Sequence, residues 1–168
     1  MMATAHPTIA LRPILPADVP LLAEIFRASV EELTTDDYSE AQREAWASSV
    51  DDEAAFGERL ASQLTLVGTM AGSPVGFASL KAPDIIDLLY VHPAAVENGV
   101  ATMLVDALEK LAAARGAGKL TADVSDSAVD FFRKRGFLPQ TRNTRQLAGE
   151  WLANTTMEKK LAAKENAR

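Results

Sequence analysis

The 168-residue chain has no cysteine and only two histidines, His6 and His92. The first absence excludes disulfides, thiolate metal sites and a cysteine nucleophile. The second leaves too few ligands for a histidine-based metal cluster, so no metal centre is expected. Cations are also in the minority, with 17 Lys and Arg against 23 Asp and Glu for a formal charge of −6. Sequence-independent nucleic-acid binding relies on clustered positive charge, and anionic membrane surfaces attract it too, so neither is an expected partner. No stretch approaches the roughly 20 apolar residues that cross a bilayer. Residues 1–7 lack the basic and apolar regions of a secretory signal. Together these absences lead to the expectation of a cytoplasmic protein.

What is present is enough for one core, since 48% of the residues are hydrophobic. Segment 1–7 reads as a flexible start, 8–162 as one folded domain and 163–168 as a charged, frayed tail. Residues 8–14 alternate apolar and polar and read as an edge strand. Val19, Leu22, Ile25, Phe26, Val30 and Leu33 recur at helical spacing behind Pro16. Further helices are predicted over 40–47 and 53–64. The period then shortens: strands over 64–70 and 75–80 flank a tight connection at 71–74. Residues 85–91 are almost wholly apolar, which suits a strand covered on both faces at the sheet centre. A strong helix over 100–114 ends at Gly116. A short strand over 120–124, a helix over 127–135 and a hairpin with strands over 140–146 and 151–161 follow. This order predicts an α/β fold, a single domain with a mixed central β-sheet flanked by α-helices.

Three segments carry a family resemblance. Strand 86–91 runs into His92-Pro93 and then Val96-Glu97-Asn98-Gly99-Val100-Ala101. Downstream, Ala128, Phe131 and Gly136-Phe137 recur at set offsets, and 152–159 forms an apolar–polar last strand. The pattern resembles the GNAT superfamily of N-acetyltransferases over nearly the whole chain. The resemblance implies a mixed sheet, acetyl-coenzyme A as co-substrate, and direct attack on its thioester by a primary amine of a small molecule or peptide. The alternative it leaves open is a coenzyme A-binding or regulatory protein with little turnover. Family members often pair through sheet edges, so a homodimer is among the expectations.

The resemblance also assigns roles. Val96, Glu97, Asn98, Gly99, Val100, Ala101 and Thr102 stand at the loop and helix start that hold the coenzyme A pyrophosphate. Such a turn presents unpaired N–H groups and the positive end of a helix dipole; equally, Asn98-Gly99 reads as a plain turn. Val96 replaces the family's usual Gln or Arg. Main-chain donors at Leu89, Tyr90 and Val91 fall where the family places its oxyanion contact. Ser125, Ala128, Phe131 and Phe132 fall on the cofactor wall. Phe132 occupies the position of a frequent Tyr acid, so either the thiolate leaves without that acid or another hydroxyl such as Ser125 or Tyr90 assists. Among side chains that could move a proton, Asp87 is the candidate base: an unpaired carboxylate in an apolar strand is costly. Pairing with a nearby cation is the competing reading. Phe26, Val30, Tyr38 and Trp46 lie where the family roofs its acceptor pocket, although helical spacing also makes Phe26 and Val30 core residues. His92 reads as a turn element before a base, and Arg133-Lys134-Arg135 as a solvated face before a phosphate contact.

Overall fold

The computed structural model describes residues 8–162; the segments read as flexible start and charged tail, 1–7 and 163–168, lie outside them. The elements are β1 (Ile9–Pro13), α1 (Val19–Leu33), α2 (Glu40–Ala47), α3 (Glu53–Ala61), β2 (Leu64–Met70), β3 (Ser73–Lys81), β4 (Ile85–Val91), α4 (Val100–Ala114), β5 (Lys119–Ser125), α5 (Val129–Lys134), β6 (Leu138–Leu147) and β7 (Glu150–Lys160). The strands form one sheet in the order β1-β2-β3-β4-β5-β7-β6, with β4 at its centre as its apolar run predicts. Every neighbouring pair is antiparallel except β4–β5. α4 and α5 cover one face through Leu104, Leu108, Phe132 and Phe137. The other face carries α1–α3, with Leu22, Phe26, Phe56 and Leu60 packed on Val67, Phe77 and Leu88.

Local chemistry explains most element ends. The Ser39 hydroxyl accepts a hydrogen bond from the Gln42 N–H and the Gln42 Oε1 accepts one from the Ser39 N–H, a capping box that starts α2. The β2–β3 connection is shorter than predicted. Ala71 and Gly72 alone make the turn, with φ of 51° and 81°, the conformation that suits a two-residue hairpin. Pro74 therefore lies inside β3, next to a register shift between Gly68 and Thr69 where ladder pairing is irregular. α5 is also shorter than the 127–135 expected. The Asp126 N–H donates to the Tyr38 hydroxyl and the Ser127 hydroxyl donates to Asp37, so residues 126–127 are held in a turn.

Two irregularities place the site. Ser79 pairs with Leu88 and Leu80 with Ile86, which leaves Asp87 as an extra residue on β4. Strict alternation would group Asp87 with Leu89 and Val91 against Ile86, Leu88 and Tyr90. The bulge overturns that grouping: Ile86, Leu89 and Val91 pack on the α4 side, and Leu88 and Tyr90 on the α1 side. The second irregularity is that β4 and β5 register only at Ile85–Thr121 and Ile86–Ala122. Beyond those pairs the two strands part.

Glycine brings α4 close beneath β2 and β3. A Cβ at Gly76 would lie 2.9 Å from the Val100 Cγ1 and 3.1 Å from the Tyr90 carbonyl; one at Gly68 would lie 3.1 Å from the same Val100 methyl. The start of α4 thus rests on two positions without side chains. Gly76→Ala is expected to destabilise the fold by about 1–3 kcal/mol through overpacking. In a chemical-denaturation cycle with Val100→Ala the two changes should couple by roughly 0.5–3 kcal/mol. Simple additivity would place the strain elsewhere.

Candidate active site

The parting of β4 from β5 opens a cavity of about 470 Å³, within the roughly 300–1,000 Å³ typical of small-ligand sites. Leu89, Tyr90 and Val91 line it from β4, and Ser125, Ala128, Phe131 and Phe132 from β5 and α5. Val96, Gly99, Ala101 and Thr102 close one end, and Val30 and Trp46 reach it from the helices above. Of the residues expected at the cofactor, Glu97, Asn98 and Val100 are not in this lining. Glu97 and Asn98 are exposed on the loop, whereas Val100 is fully buried on Gly68 and Gly76. Val100 therefore seats the helix, and its side chain is core.

The loop before α4 leaves its backbone open on one side. His92 caps a short turn, its Nδ1 accepting from the Ala94 N–H at 3.1 Å, which is the turn role read for it in the sequence. Gly99 has φ of +81° at the N-cap of α4, a region where a side chain is strained. A Cβ there would meet no protein atom within 4 Å, so the space beside it is open. The first N–H groups of α4 have no helical partner and carry the positive end of its dipole. Arg133 and Lys134 are exposed, while Arg135 pairs with Asp106 and stacks near Phe131.

Phe132 is buried against Phe131 and Phe137, with ring centroids 5.4 Å and 5.0 Å away. It offers no proton. Tyr90 does carry a hydroxyl into the opening. Its ring packs 4.3 Å from Phe26 and 5.7 Å from Phe77, and its oxygen accepts from the Trp46 indole N–H at 3.3 Å. Desolvation pushes its pKa up to about 12, so the phenol stays protonated and its O–H is free to donate.

A second cavity of about 140 Å³ adjoins the first, between the helices above and the β5–β7–β6 floor. Of the four residues expected at the acceptor, Phe26, Tyr38 and Trp46 line it, whereas Val30 lines only the larger cavity. Tyr38 is also a strap. Its hydroxyl donates to the Ala153 carbonyl at 2.6 Å and accepts from the Asp126 N–H at 2.9 Å. Burial raises its pKa, which keeps that donor in place.

Asp87 lines both cavities. Its Oδ2 accepts from the Arg59 Nε at 2.7 Å and the Gln63 amide at 2.8 Å, and its Oδ1 from the other Arg59 nitrogen at 3.0 Å. The sequence left open whether this carboxylate is paired, and it is, by two residues of α3 and its C-terminal flank. Partial burial pushes its pKa up, but the hydrogen bonds from Arg59 and Gln63 outweigh that and hold it below the usual carboxylate value. An ionised carboxylate offers about four lone-pair sites, and three are used, leaving one on Oδ1. Asp123 joins the shared wall and was missed in the sequence, as were Arg59, Gln63 and Arg145. Asp123 and Arg145 alternate with neighbours in ordinary strand patterns, and Arg59 reaches the cavity wall only through its tertiary contact with Asp87.

Comparison with known proteins agrees with this geometry. Residues 34–161 match the family model described as an acetyltransferase (GNAT) domain. A relative described as an uncharacterized N-acetyltransferase, YafP of Escherichia coli strain K12, is 33% identical over 152 residues, covering 90% of this chain and 96% of its own. The crystal structure of a Rhodopseudomonas palustris protein, described as a GCN5-related N-acetyltransferase and class-II aminotransferase, superposes with a TM-score of 0.90 at 61% identity, over 96% of this chain and 99% of that one. A PaiA N-acetyltransferase of Thermoplasma acidophilum, solved with coenzyme A, shares the fold at 20% identity with a TM-score of 0.74, over 91% and 99% of the two chains. By fold, cavity and family match, the chain belongs to the GNAT acetyltransferases, enzymes that draw on acetyl-coenzyme A.

Proposed function

We propose that the larger cavity holds the acetyl-pantetheine arm of acetyl-coenzyme A and the smaller one a primary amine, of a small molecule or peptide, that attacks it directly. One observation carries this reading: the two cavities share a wall of Trp46, Asp87, Tyr90, Asp123 and Ser125. Two ligands can therefore meet only beside those side chains, at the mouth of the β4–β5 opening. The pyrophosphate lies against the loop ending at Gly99 and the first turn of α4, with Thr102 beside it.

The amine lone pair attacks the thioester carbonyl carbon, the C–S bond breaks and coenzyme A leaves as the thiolate. Main-chain N–H groups of β4 between Leu89 and Val91, with no β5 residue in register opposite them, stabilise the oxyanion. Tyr90 supplies a hydrogen bond where Phe132 has none. With a pKa about 12, it donates a hydrogen bond to a thiolate more readily than it surrenders its proton, since a thiol titrates near about 8.5. Asp87 draws in the cationic amine through its open Oδ1 position and passes the released proton towards solvent. Its depressed pKa makes it a weak base, so its contribution is chiefly electrostatic.

Two variants test this reading. Gly99→Trp is expected to raise the acetyl-coenzyme A dissociation constant by more than about tenfold, equivalent to 1.4 kcal/mol, by filling the open space at the loop. Gly99→Asn tolerates positive φ and should have a much smaller effect in the same calorimetric titration. Equal affinities across the series would remove the loop from the phosphate site.

Asp87→Asn is expected to lower kcat/KM for the amine by about ten- to a hundredfold, the worth of a hydrogen bond to a charged group, with little change in acetyl-coenzyme A affinity. Because the folded pKa is depressed, Asp87 is charged throughout the range above the usual carboxylate value and loses its charge only at lower pH. The acidic limb of kcat/KM near neutrality then belongs to the amine, and the Asn variant should keep that limb beneath a lowered plateau. Loss of the limb in Asp87→Asn would instead assign the titration to Asp87.

A further inference from the structure

We infer that the acceptor is a zwitterion: an amine that also bears a carboxylate, bound with its anionic end on Arg145. This deepens the acetyl-transfer reading and rests on it. Arg145 projects from β6 into the smaller cavity and does not reach the larger one. Among the described residues it has no hydrogen-bond or ion-pair partner. Its neighbour in the cavity, Arg59, is held by both oxygens of Asp87 and is not available to a substrate in the same way.

The acids of the cavity lie on the wall it shares with the larger one, a wall that Arg145 does not line, although its charge is felt at Tyr90. Asp87 and Asp123 belong to the wall shared with the larger cavity, where the acetyl group is delivered. Asp123 accepts from the Thr156 hydroxyl at 2.6 Å, and Thr156 in turn accepts from Asn143, but Asp123 has no cationic partner among the described residues. The cleft thus presents, on the shared wall, a carboxylate without a cationic partner and, off that wall, a guanidinium without an ion-pair partner. That polarity orients a substrate with a positive and a negative end, amine inward and carboxylate outward. A planar guanidinium matches a carboxylate in two-pronged fashion. In a chain of net charge −6, a lone anion would be repelled at long range, so a local cation is what admits one. The cavity of about 140 Å³ is small, which suits a compact amino acid more than a folded protein surface.

The test is thiol release from acetyl-coenzyme A with matched acceptors: a set of amino acids, their carboxamides and their decarboxylated amines. The wild-type protein is expected to favour each acid in kcat/KM by about ten- to a hundredfold, the range of a hydrogen bond to a charged group. In Arg145→Gln that preference should collapse towards unity through KM, and Arg145→Lys should restore part of it. The acetyl-coenzyme A KM, set in the other cavity, reports whether each variant is folded. An acid-to-amide ratio near one in the wild type, or a preference that survives Arg145→Gln, overturns the proposal. Turnover of simple amines with none of the acids overturns it while leaving acetyl transfer standing. No turnover with any amine removes the transfer reading, and this proposal with it.

Discussion

Parallel strands β4 and β5 hold together through two residue pairs and then diverge. Past that point each strand carries backbone donors and acceptors that the ladder no longer satisfies, and these must find other partners. The resulting gap could not persist in the middle of a sheet unless something else joined its two halves. Below, α4 does so, seated by Val100 on the bare backbones of Gly68 and Gly76. Above, the loop before α2 does so: Tyr38 bridges Ala153 and Asp126, Asp37 takes the Ser127 hydroxyl, and Gln42 donates to the Trp151 carbonyl. The cavity is a consequence of strand divergence held rigid from both faces.

The bulge at Asp87 works with this divergence. An extra residue turns the carboxylate out of the ladder, where Arg59 of α3 and Gln63 just past its end can reach it. Without the cation, a half-buried charge would be strongly unfavourable; with it, the carboxylate stays ionised where the two cavities meet. The same bulge shifts Leu88 and Tyr90 into the aromatic cluster of Phe26, Phe56 and Phe77. That packing fixes the Tyr90 hydroxyl at the junction of the two cavities.

Periodicity made the elements legible, and for 85–91 and 100–114 it gave the observed bounds. The loop–helix junction was readable because its chemistry is local: a residue with positive φ followed at once by an amphipathic helix. The bulge was not, since an apolar run alternates equally well in either register and only the pairing with β3 displaces Asp87. Val100 was assigned to the ligand for its place in the motif, and its burial on two distant glycines shows what proximity in sequence cannot. The charge pattern of the smaller cavity was invisible for the same reason. Arg59, Asp123 and Arg145 come from three elements and acquire meaning only when the fold assembles them.

The hairpin of β6 and β7 has a consequence of another kind. β6 lies at the sheet edge and nearly all its residues are exposed, and changes at such positions commonly alter stability by no more than about 0.5 kcal/mol. Yet its inward side chains form the outer wall of the smaller cavity, whereas the larger one is built from the centre of the sheet and the buried helices. On the proposed division of ligands, donor recognition is anchored where mutation is punished, and only the outer part of acceptor recognition is displayed where mutation is tolerated. Such a molecule could vary the outer wall of the smaller cavity on a peripheral ribbon while the core fixes its inner wall, at Phe26 and Tyr38, together with the larger cavity.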